Sequence, residues 1–174
     1  QAARPHLFSI TSFLGEEWFV RSYWVLGAGQ PGAGWGGWAN AANAHPSGRI
    51  LCATPEAVYG YGRQKVAGGP VGHKADAYHL FAMDRQPASA APAPKAKKAP
   101  AAPSTRGKLI WQDTASLTVR AMVLAGGRLA VAGPPDPGDR DPDTLAFRNE
   151  PDALAAFQGR KGARLRILDA ADGK

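Results

Sequence analysis

Residues 117–133 read LTVRAMVLA-GG-RLAVAG, two apolar runs joined by the pair Gly126-Gly127. Two adjacent glycines supply the positive φ angles of a tight two-residue turn, so this stretch predicts an antiparallel β-hairpin. The chain has 174 residues, of which 21 are Gly and 15 are Pro. Frequent Gly and Pro divide a chain into short elements, which favours many short strands over long helices.

Further strands are predicted on the N-terminal side of this hairpin. Residues 49–62 predict a second hairpin with Pro55-Glu56 between its two strands. Residues 77–84 and 108–112 predict single strands, the first with an acid at its exit. Short strands separated by turn residues are typical of an all-β fold.

On the C-terminal side, residues 164–169 predict another strand, because Leu165 and Ile167 alternate with arginines. The pair Asp172-Gly173 then fits a tight turn. A short helix is predicted at residues 151–157, since Pro and Asp suit its start and Gly159 suits its end.

Residues 86–107, QPASAAPAPKAKKAPAAPSTRG, form a low-complexity segment without aromatic residues. Such a composition predicts an extended, mobile linker between an N-terminal part, residues 1–85, and a C-terminal part, residues 108–174. The net charge is +7. Five of the surplus cations lie at or beside the linker, so we expect a solvated linker and no nucleic-acid partner: Lys95, Lys97, Lys98, Arg106 and Lys108.

Three further features of the sequence concern membrane spans, the N-terminus and the single cysteine. No apolar run reaches the length of about 18 residues that a membrane-spanning helix needs. The start, Gln1-Ala2-Ala3, has neither an initiator Met nor an apolar signal region, so a processed product or a fragment is expected. The single cysteine, Cys52, lies in an apolar run and is interpreted as a small buried hydrophobe.

The C-terminal residues follow a recognisable order. Leu168-Asp169 is followed by Ala-Ala-Asp172-Gly173-Lys174, and Trp111 closes the short strand before the hairpin. This order resembles the repeat of pyrroloquinoline-quinone (PQQ) type β-propellers, a strand followed by Ala-x-Asp-x-x-Thr-Gly-Lys and then by Trp. Asp169, Gly173 and Lys174 match that signature, and Asp172 replaces the usual Thr. Trp111 matches the closing Trp of the preceding repeat.

The resemblance implies a partial β-propeller of about two to three antiparallel blades, the C-terminal segment of a large bacterial envelope or periplasmic protein. It implies a non-catalytic scaffold or protein-interaction surface, whose partners are further propeller blades or protein subunits. A blade cannot bury both of its faces alone, so neighbouring residues must complete it.

Two alternatives remain open at this stage. A fragment of a PQQ-dependent dehydrogenase would bind PQQ with calcium, but the required Glu/Asn/Asp set cannot be located. A carbohydrate-binding module would use aromatic stacking, whereas inter-blade packing explains the same residues. The aromatic residues concerned are Trp18, Tyr23, Trp24, Trp35 and Trp38.

The remaining motifs do not fit a nucleotide-binding or metal-binding site. Residues 27–32 match Gly-x-Gly-x-x-Gly, but Pro31 and the following glycines oppose the helix that a dinucleotide site needs. The four histidines lack metal-ligand spacing, and the aspartates of residues 136–143 do not fit an EF-type loop. Arg120 is interpreted as a structural residue that pairs or reaches the rim. No catalytic, cofactor-binding or metal-binding residue is therefore assigned.

Overall fold

The computed structural model describes residues 6–9, 24–27, 46–63, 78–85, 107–138 and 147–174. These residues form ten β-strands and one α-helix. The strands make three antiparallel sheets. The prediction of a mostly β, antiparallel protein with one short helix is thus confirmed for the described residues.

The first sheet has three short strands in the order β1-β2-β3. They are β1 (His6–Ser9), β2 (Trp24–Gly27) and β3 (Ser47–Gly48). Val25 of β2 is fully buried. The backbone N–H of Leu26 donates to the carbonyl of Pro46 at 3.0 Å and extends the pairing of β2 with β3.

The second sheet is a four-stranded meander in which neighbours in sequence are neighbours in space. Its strands are β4 (Ile50–Ala53), β5 (Ala57–Arg63), β6 (Tyr78–Asp84) and β7 (Leu109–Asp113). The hairpin predicted for residues 49–62 is confirmed as β4 and β5. Its turn is held by the Thr54 hydroxyl, which accepts hydrogen bonds from the N–H groups of Glu56 and Ala57 at 3.2 and 3.0 Å.

The low-complexity segment connects two strands of this one sheet. β7 pairs with β6, on the far side of the segment in sequence. The N–H of Asp84 donates to the carbonyl of Lys108 at 2.8 Å, so the chain leaves and re-enters the sheet at adjacent points. The boundary drawn between residues 1–85 and 108–174 therefore falls between two paired strands, and most of the linker lies outside the described residues.

The third sheet is a three-stranded meander of β8 (Ala121–Ala125), β9 (Arg128–Gly133) and β10 (Arg164–Asp169). Its first two strands are the hairpin predicted from residues 117–133. Gly126 and Gly127 have φ angles of 55° and 75°, which a two-residue turn between right-twisted strands requires. Strand prediction was also correct for residues 164–169.

The helix α1 (Glu150–Phe157) lies between β9 and β10. Asn149 is its N-cap, and the side-chain oxygen of Asn149 accepts a hydrogen bond from the N–H of Asp152 at 3.1 Å. Pro151 occupies the first turn, where no intrahelical donor is needed. Gly159 follows the helix with a φ of 77°. The helix predicted at residues 151–157 is thus confirmed, with one more residue at its start.

The second and third sheets pack face to face around one hydrophobic core. The order of the strands matches across the interface. Thus β4 lies beside β8 at one edge, and at the other edge Arg166 of β10 lies 2.7 Å from the Asp113 carboxylate of β7. The shared core includes Tyr59, Tyr61, Leu80, Ala82 and Trp111 from the second sheet, and Met122, Leu129, Val131 and Leu168 from the third.

The two sheets differ in how many faces they bury. The side chains of the second sheet that point away from the third are also buried, among them Val58, His79, Phe81 and Met83. The second sheet is therefore an interior layer. The third sheet buries the face towards the second, whereas the large side chains of its other face are exposed.

Candidate functional site

Trp111 of the second sheet contacts the turn that follows β10, the last strand of the third sheet. Its indole N–H donates to the carbonyl of Ala170 at 2.9 Å, and both residues are buried. The ring lies so close to Gly173 that a Cβ there would be 2.7 Å from the ring atom Cδ2. Gly173 also has a φ of 76°, which favours glycine. The motif residues Trp111 and Gly173 are thus in direct contact.

The turn around Gly173 is held by its own polar groups. The N–H of Asp169 donates to the carbonyl of Lys174 at 2.6 Å, and the Asp169 carboxylate accepts from the N–H of Ala171 at 2.9 Å. The N–H of Lys174 donates to the Asp172 carboxylate at 3.0 Å, and this bond lowers the pKa of Asp172. Asp169 and Asp172 thus hold the conformation of the turn that contacts Trp111.

The outward face of the third sheet is apolar, and its large side chains are exposed. Val123, Leu165 and Ile167 are 60, 66 and 61 % exposed. Ile167 is paired with Ala130, which is paired with Val123, so these three side chains form one row across the sheet. Leu165 is paired with Ala132, which is paired with Ala121, and these side chains form a second row. We call this surface the open face; its members are Ala121, Val123, Ala130, Ala132, Leu165 and Ile167.

Charged residues bound the open face at both ends. At one end the guanidinium of Arg128 lies 3.7 Å from the carboxylate of Asp169, its cross-strand neighbour. At the other end the guanidinium of Arg120 stacks over the ring of Phe157, 4.7 Å from its centroid. An apolar centre with a polar rim is the usual composition of a protein-binding surface.

A groove of about 630 Å³ adjoins the open face at the Arg120 end. Its lining consists mostly of small residues and includes Phe157. Arg120 is exposed, as expected for an arginine that reaches the rim, and its contact is with the ring of Phe157. The groove therefore extends the apolar surface from the sheet onto α1.

A second groove, of about 490 Å³, lies where β4 meets β8. Cys52 contributes to its lining, packs against the core and approaches the Met122 carbonyl, with the sulfur 3.8 Å from the oxygen. Burial raises the pKa of the Cys52 thiol. Cys52 is only partly buried, so the interpretation of it as a buried hydrophobe holds in part: its side chain packs against the core and also lines this groove.

Several predicted residues cannot be placed. Of the aromatic cluster, only Trp24 is described, half-buried in β2. The other members lie outside the described residues: Trp18, Tyr23, Trp35 and Trp38. So do residues 28–32 of the Gly-x-Gly-x-x-Gly motif and three aspartates of the acidic run, Asp139, Asp141 and Asp143. The aromatic site therefore stays a prediction.

The residues of the open face were missed by motif analysis because they form no motif. The alternation of Leu165 and Ile167 with arginines was visible in the sequence, but such alternation ordinarily places the apolar side inward. Here Arg166 faces inward and pairs with Asp113. The exposure of this face could be seen only from the fold.

Comparison of the chain with protein-family models, with curated proteins and with solved structures finds no match. Among the described residues, no group of three or more His, Cys, Asp or Glu side chains is placed to hold a metal ion. Within the same ranges, no helix is long and apolar enough to cross a bilayer.

Proposed function

We propose that the chain is a non-catalytic β-propeller segment that acts as a scaffold and protein-interaction surface. In this proposal β4–β7 are one complete blade, and β8–β10 are the first three strands of the next. The PQQ-like signature around Trp111 and Gly173 belongs to the contact between the two blades. The open face then receives a further blade, from the same protein or from another subunit.

The observation that carries the proposal is the open face itself. The second and third sheets are stacked in the same strand order, so the open face corresponds to the face by which the second sheet packs on the third. Stacked repeats use one type of interface again and again, and a terminal layer exposes the unused copy. Covering Val123, Leu165 and Ile167 would contribute on the order of 3–5 kcal/mol, which favours a permanent neighbour.

Hydroxyl-radical footprinting tests this assignment. The protein is labelled as the purified chain and, separately, in the assembly isolated from its source. We expect the side chains of Val123, Leu165 and Ile167 to be oxidised in the purified chain and protected in the assembly. Leu109 and Ile110 are also exposed but lie on the outer strand β7, so they serve as the control and should be labelled in both samples.

Equal labelling of the open face in the two samples would refute the proposal, because the face would then have no neighbour. Protection of Leu109 and Ile110 together with the open face would also contradict it, since in this proposal the further blade covers the open face and not the outer strand β7.

A further inference from the structure

The helix α1 buries its small side chains and exposes its large ones. Ala153 and Ala156 are buried, whereas Leu154 and Phe157 are 48 and 67 % exposed. A surface helix normally turns its large apolar residues towards the core. This reversed arrangement leaves an apolar helix surface beside the groove at the Arg120 end of the open face.

The exposed residues form a stripe with opposite charges at its ends. Glu150, Leu154 and Phe157 are spaced i, i+4 and i+7, which places them on one face of the helix. Arg160 is exposed in the turn that follows the helix, three residues beyond Phe157. The order along the chain is therefore acid, apolar, apolar, base.

The two end charges are available for an outside partner. Asp152 and Lys161 form an ion pair with each other. Within the ranges that the structure describes, neither Glu150 nor Arg160 takes part in an ion pair, and both are exposed. Phe157 is held from one side by Arg120 and lines the adjoining groove.

We propose that α1 is a self-association surface, on which two copies of the chain place their helices antiparallel across a two-fold axis. An axis between Leu154 and Phe157 sets each Leu154 against the Phe157 of the second copy. The same axis sets each Glu150 opposite the cationic end of the other helix, at Arg160. Self-complementarity of this kind is what an isologous interface requires.

The groove supplies the remaining fit. It lies beside Phe157, and its lining outside the open face includes Gly159, Gly162 and Ala163, whose small size leaves room for an apolar side chain of the second copy. The stripe is short, because eight helical residues span about 12 Å. Association is therefore expected to be weak and concentration-dependent, as for small interfaces in general.

Sedimentation velocity of the full chain, at concentrations up to about 1 mM, tests the proposal. We expect a monomer–dimer equilibrium in the wild type. Leu154→Glu should weaken the dimer at least about tenfold, since it places a charge at the centre of the interface. Ile167→Glu, an equivalent change on the open face, should leave the dimer intact. Circular dichroism of each variant checks that the fold is retained.

Charge reversal provides a test that does not depend on an apolar substitution. Glu150→Lys and Arg160→Glu should each weaken the dimer roughly two- to fivefold, and the double variant should restore it. A monomer at every concentration would overturn the proposal, as would a dimer that is lost with Ile167→Glu but kept with Leu154→Glu. Failure of the double variant to recover the dimer would overturn the antiparallel arrangement. None of these outcomes bears on the propeller assignment, which footprinting tests separately.

Discussion

Replacing Trp111 by Phe should loosen the contact between the second and third sheets. The indole N–H is the donor to the buried Ala170 carbonyl, so the variant leaves that acceptor without its partner. An unsatisfied buried group costs about 1–3 kcal/mol. The smaller ring also removes buried apolar atoms, worth about 1–2 kcal/mol more. Together the free energy of unfolding should fall by roughly 2–5 kcal/mol.

Urea denaturation followed by far-ultraviolet circular dichroism measures this loss. Gly173→Ala is the companion variant, because a Cβ there would meet the Trp111 ring and would also strain a residue with φ of 76°. Since the two residues touch, the double variant Trp111→Phe/Gly173→Ala should be less destabilised than the sum of the single variants. If Trp111→Phe lowers the free energy of unfolding by less than about 1 kcal/mol, and the effects of the two substitutions are additive, then the contact between Trp111 and Gly173 does not stabilise the fold.

Three further predictions concern the fold. Gly127→Ala should destabilise the protein by about 1 kcal/mol and Gly127→Asn by less, measured by thermal unfolding, because Asn tolerates positive φ and Ala does not; equal effects would contradict the turn. Iodoacetamide should alkylate Cys52 with a pH midpoint above that of a free thiol, since burial raises its pKa. The stability from the buried thiol is then fully present below the unfolded-state pKa and is lost as pH rises through the folded-state pKa; a midpoint at or below the free-thiol value would contradict this. Trypsin cleavage at Lys97 should leave the two pieces in one particle on size-exclusion chromatography, because β7 pairs with β6 across the cut; separate elution would contradict the pairing.

Local features of the fold were predictable because local chemistry determines them. Gly126-Gly127 specifies a tight turn, and the alternation after Arg164 specifies a strand, so both hairpin and strand were found from residue order alone. The helix was found for the same reason, since Pro151 and Gly159 mark its ends. In each case the deciding residues lie within a few positions of the element.

Pairing between distant residues was not predictable in this way. The partner of β7 is β6, and the low-complexity segment between them suggested a domain boundary. Which side chains are buried could not be predicted either. Arg166 faces inward because Asp113, on another sheet, pairs with it. The open face could not be identified for the same reason, since its exposure depends on which layers surround the sheet and not on its own residues.

The assignment of consecutive propeller blades is tested most directly by an electron cryo-microscopy map of the assembly isolated from its source. The account predicts sheets arranged around a common axis, with β4 and β8 nearest the axis and Ile167 covered by a further antiparallel sheet. A map in which the stack ends at β8–β10, with Ile167 facing solvent, would contradict it.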